Sequence, residues 1–76
     1  MDDEATREAA VRAARAHARA ANDVAQFVQQ LSGAPDPAAV AEYANLLARE
    51  ESTFEERTQA LRAAGLSVPS LDADEG

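Results

Sequence analysis

Seventy-six residues with a formal charge of −7 and no cysteine make one small domain at most, in the size range where a single core is marginal. The missing thiols exclude a disulfide framework and a thiolate zinc site, and the acidic balance disfavours general nucleic-acid binding and anionic membrane surfaces. No stretch approaches the ~20 apolar residues of a bilayer span, and the acidic start, MDDEATRE, is unlike a basic secretory leader, so cytoplasmic residence without membrane contact is expected.

The apolar fraction of 46% includes 20 alanines. Alanine is the best helix former, yet its burial gains little beside the ~1.5–3 kcal/mol of a buried Val, Leu or Phe. Such a chain favours helix strongly but owns a thin core, a combination that calls for a partner chain. The acids are uneven: residues 1–35 carry a net charge of −1 and residues 36–76 a net charge of −6.

The spacing predicts a first helix over about residues 3–31. Its apolar stripe is clearest at Val24, Phe27, Val28 and Leu31, at helical intervals. Stepping back by sevens from Leu31 reaches Val24, His17 and Ala10, which places the chain's one histidine on the inward seam. Val11, Ala18 and Ala25 are read as flanking this stripe on one side, and Ala14, Ala21 and Val28 as widening it on the other. Arg12, Arg15 and Arg19 share an exposed face, with Arg7 nearby. By pairing they lie level with Glu50, Glu51, Glu55 and Glu56, and Glu8 precedes Arg12 by four; solvated ion pairing is the expected role. A strip that binds an acidic protein or nucleic acid is the sharper alternative, weakened for nucleic acid by the lack of interleaved aromatic residues.

The segment SGAPDP separates the helices as a loop over 32–36. Gly33 can close the first helix, and Asp36 before Pro37 reads as an N-cap with proline at the first helical position. A second helix is predicted over about 37–64, ending at Gly65. Val40, Tyr43, Leu47, Phe54 and Leu61 mark its stripe, with Leu46 alongside. STFE at 52–55 resembles a capping box, so a kink near Ser52 is the alternative to a continuous helix.

Two helices of near-equal length and a short loop predict an all-α fold, an antiparallel αα-hairpin over residues 1–65. Facing positions should add to roughly 69, which sets Phe54 and Leu61 against the alanine-rich half of the first helix. The expected core comprises Val24, Phe27, Val28, Leu31, Val40, Tyr43, Leu47, Phe54 and Leu61. A surface this broad is best covered by homodimerisation into a four-helix bundle. Residues 66–76 are expected to form an extended, partly disordered acidic tail. Its Leu66, Val68 and Leu71 could anchor it to a partner as an extended segment, but packing on its own bundle or remaining mobile is the plainer expectation.

His17 should fall opposite Glu50 and Glu51, forming a polar layer in the seam. Such layers fix register and partner number. Histidine is the side chain most apt to change charge near neutral pH, so dimer stability should vary between pH 5 and 8. The same trio suggests a metal-binding bundle as an alternative. Di-iron bundles use Glu-x-x-His, however, and Ala14 occupies the glutamate position; no metal or other cofactor is expected. No arrangement of nucleophile and base or phosphate loop occurs, so catalysis is not expected. The composite expectation is a non-catalytic protein–protein interaction module (an adaptor, regulator or assembly subunit) that acts as a homodimer on an unidentified protein partner.

Overall fold

The computed structural model describes residues 2–66, with the side chain of Asp2 excepted. Among these residues the chain is all-α: helix α1, Asp2–Gln30, and helix α2, Pro37–Ala63, pack against each other as an antiparallel hairpin. Neither helix is long and apolar enough to cross a membrane. The tail positions Val68 and Leu71 lie outside the described residues.

Local chemistry sets the helix ends. Asp3 and Glu4 place negative charge in the first turn of α1, where the helix dipole favours it. The helix stops at Gln30, and Gly33 supplies a left-handed residue, φ 75°, in the loop that follows. At the start of α2, Oδ1 of Asp36 accepts a 2.8 Å hydrogen bond from the Ala39 N–H. Pro37 follows as the first helical residue, where its missing N–H costs nothing. The far end is a Schellman closure. Gly65 adopts φ 91°, its N–H donates to the Arg62 carbonyl at 2.9 Å, and the Leu66 N–H donates to the Leu61 carbonyl at 2.8 Å.

Helix α2 runs unbroken through Ser52. The Thr53 hydroxyl donates back to the Arg49 and Glu50 carbonyls, both at 3.0 Å. The segment that resembles a cap therefore hydrogen-bonds as a helix interior.

The seam follows steps of four and three, the coiled-coil spacing. On α1 it runs through Thr6, Ala10, Ala13, His17, Ala20, Val24 and Phe27, all buried or half-buried. On α2 it runs through Ala39, Tyr43, Leu46, Glu50, Thr53, Arg57 and Ala60. Ala10 and Ala20 are the buried apolar residues, 5% and 2% exposed. The Phe27 and Tyr43 rings stack at 6.0 Å, and His17 meets Phe54 at 5.6 Å. Facing positions thus add to 70 or 71, one or two beyond the simple pairing, and His17 lies beside Phe54 rather than residue 52.

Two expectations about side assignment are corrected. Val11, Ala18 and Ala25 do not lie opposite Ala14, Ala21 and Val28. One residue turns a helix by about 100° and four residues by about 40° in the same sense, so both rows share one side of the seam. Likewise, of the expected core, Val28, Leu31, Val40, Tyr43, Leu47 and Phe54 are exposed. Val40, Leu47 and Phe54 each sit one residue beyond a seam position of α2, just outside the contact with α1, so Phe54 stands at its edge. Val28 holds the matching place on α1, Leu31 follows the end of that helix, and Tyr43 keeps a seam place with its ring on Phe27.

Because Asp36 satisfies an otherwise unpaired N–H, Asp36→Ala should lower unfolding free energy by about 1 kcal/mol, read as a reduced urea midpoint with unchanged slope.

Candidate functional site

The displaced stripe forms a continuous face. In an antiparallel pair, the rows one residue past the seam on each helix flank the same side. Here that side carries Arg7, Val11, Ala14, Ala18, Ala21, Ala25 and Val28 from α1, and Val40, Ala44, Leu47, Glu51, Phe54, Thr58 and Leu61 from α2, apolar apart from Arg7, Glu51 and Thr58. Three hollows along the face show that the rows converge. Near the loop, Phe27, Val28, Leu31, Val40 and Tyr43 line one; in the middle, His17, Leu47, Glu50, Glu51 and Phe54 line another. At the open end of the hairpin, Arg7, Val11, Ala14, Leu61 and Leu66 line the third. Val40 is 54% exposed, Val28 50% and Phe54 48%.

The opposite side of the hairpin carries different chemistry. Its flanking rows hold Arg12, Arg19, Asp23 and Gln26 among alanines on α1, and Glu42, Asn45, Arg49, Ser52, Glu56 and Gln59 on α2. One surface is therefore built for water and the other for an apolar neighbour.

The proposed polar layer has a different chemistry from a His–Glu pair. His17 is half-buried and shares the middle hollow with Glu50 and Glu51, but its ring contact is with Phe54, in a T-shaped arrangement. The Arg57 guanidinium lies over the same ring, 4.9 Å from its centroid. Phe54 is thus held by two nitrogen-bearing side chains from the seam, one from each helix. The Arg57 Nε is buried and has no hydrogen-bond partner among the described residues. Arg57 falls on the column reached by stepping sevens from Tyr43 through Glu50, and that spacing was the available signal for its inward position.

Among the described residues no group of three His, Cys, Asp or Glu side chains is placed to hold a metal ion. Arg12, Arg15 and Arg19 are exposed as expected, but among the described residues none makes an ion pair with Glu50, Glu51, Glu55 or Glu56. They are distributed over two surfaces: Arg12 and Arg19 on the polar side, Arg15 on the outer edge of α1. Arg7 lies at the rim of the apolar face. Leu66, folded back by the Schellman closure, lines the same end of that face as Leu61. Comparison with models of known families, with curated proteins and with solved structures finds no match.

An unsatisfied buried Nε costs about 1–3 kcal/mol, more than the about 0.5–1 kcal/mol of the cation–π contact. Arg57→Met keeps the apolar stem and removes the donor. It should raise unfolding free energy by about 1 kcal/mol in urea titration; a decrease of that size would show that the ring contact outweighs the orphaned donor.

Proposed function

We propose that this chain is a non-catalytic helical interaction module that acts as a homodimer, two hairpins closing into a four-helix bundle through their apolar faces. The observation that carries the reading is the one-sided exposure of Val11, Val28, Val40, Leu47 and Phe54. The fully buried positions are alanines, which contribute little hydrophobic stabilisation, while these five larger side chains stand exposed to water. Covering them transfers the area worth most, roughly 25 cal/mol per Å², from solvent to an interface.

A chain of net charge −7 repels its own copies, and this face carries few charges: Glu50 and Glu51 at the middle hollow, Asp3 and Arg7 at the open end. Apolar contact rather than charge is what favours it as the meeting surface. The polar side, with its mixture of Arg, Glu, Asn and Gln, remains outward in such a dimer and is the surface offered to a further protein. The function is accordingly that of an adaptor, regulator or assembly subunit, acting by contact.

Sedimentation equilibrium of the full chain at micromolar concentration should return twice the 8.0 kDa mass of one copy. Leu47→Glu puts a charge at an exposed position of the hairpin. It should shift the mass toward one copy and weaken association at least ten-fold, the consequence of burying an unpaired charge. A wild-type chain that sediments as a well-folded single copy would refute the proposal.

A further inference from the structure

The apolar face is asymmetric, and the asymmetry selects one way for two copies to meet. On α1 the middle of the face is small, with Ala14, Ala18 and Ala21; on α2 the row holds the larger Leu47, Phe54 and, near its end, Leu61, with Glu51 and Thr58 between them. Resting on the dimer proposed above, we infer that the two-fold axis runs parallel to the helices. Each copy's α2 then lies on α1 of the other, and both loops sit at one end of the bundle.

Size argues first. Interaxial distance follows the side chains at the contact. Large rows on small rows give two equal spacings across the interface. A two-fold perpendicular to the helices would instead set α2 on α2 and α1 on α1. Leu47 and Phe54 would crowd their own kind while the alanines faced alanines, and the layers would splay into a wedge.

Register argues second. Rotation about an axis parallel to the helices preserves each residue's height, so contacts between copies repeat the pairing within the hairpin. That pairing is fixed by His17 with Phe54 and Phe27 with Tyr43, whose numbers add to 70 or 71. On the outer edge of each helix, directly away from the seam, the same register brings Glu55 level with Arg15 of the second copy. It also brings Arg62 level with Glu8 of the second copy. All four are exposed, and both matches are of opposite charge. The perpendicular axis forfeits them and, where it crosses α2 near residue 53, brings the Glu51–Glu55 stretch against its own copy. Such rim pairs add little affinity, about 0.2–1 kcal/mol each, but like charges brought together penalise the wrong arrangement. Within one hairpin Arg15 and Glu55 lie on opposite outer edges, so a coupling between them reports only on the dimer.

The test uses the full chain, whose lack of cysteine allows a single nitroxide at Ala34→Cys in the loop. Electron–electron distance measurement on the dimer should give a loop-to-loop separation under about 30 Å, the span of adjoining helices plus two labels. The perpendicular axis would give about 40 Å or more, the length of a 27-residue helix. In parallel, Arg15→Glu and Glu55→Arg should each weaken dimerisation several-fold at low salt, and the double variant should restore it. A dimer with the long separation, or one in which Glu55→Arg alone strengthens association, overturns this arrangement while leaving dimerisation intact. A single-copy mass in sedimentation overturns both.

Discussion

The hairpin closes through its smallest side chains. Ala10 and Ala20 are the buried apolar positions, and their methyl groups set how near the axes of α1 and α2 come. Toward the open end this close approach leaves Phe54 at the shoulder of the contact, whereas nearer the loop Phe27, Tyr43 and Leu46 take seam places themselves. A seam of alanine gives close packing with little hydrophobic gain, because the driving force scales with the apolar area removed from water. The larger residues, which could contribute more, wait on one flank. Proximity inside the hairpin and exposure outside it are two results of one distribution of side-chain size.

That distribution also explains the polar residues of the seam. Where α1 presents alanine, α2 can lay long side chains along the contact, and Arg57 does so with its stem covered and its guanidinium on the Phe54 ring. His17 approaches the same ring from α1. A larger residue at Ala13 or Ala14 would compete for that space. The middle of the molecule is therefore a small cluster around an aromatic side chain that is itself half-exposed. The ring belongs to both the seam and the apolar face, which ties the order of one to the covering of the other.

Much of the architecture was legible before any coordinates. Asp36 and Pro37, with Gly65, punctuate α2 through backbone chemistry that depends on a few adjacent residues, and alanine content makes helix the default. Two helices with one short loop leave the antiparallel hairpin as the natural arrangement. What was illegible is which row of α2 meets α1. Hydrophobicity singles out Val40, Leu47 and Phe54, and a reading that assigns the most apolar row to the nearest helix places them inside. The hairpin instead uses the neighbouring row, from Ala39 through Tyr43, Leu46, Glu50, Thr53 and Arg57 to Ala60; toward the open end, where α1 presents Ala10 and Ala13, that row is small or pliable. On α1 the helical angle decides: steps of one and four residues turn the same way, so two rows expected on opposite flanks share one. Arg57 belongs to the Tyr43–Glu50 column by spacing, while its charge argues against a place in a seam.

In the proposed dimer folding and association are inseparable, since the exposed apolar side chains would be covered by a second copy. For such a protein, stability follows concentration by mass action. The direct measurement is thermal unfolding by circular dichroism across a hundred-fold range of chain concentration. The account predicts a midpoint that climbs steadily with concentration. A midpoint constant across that range, in a chain that sediments as a single copy, would contradict it.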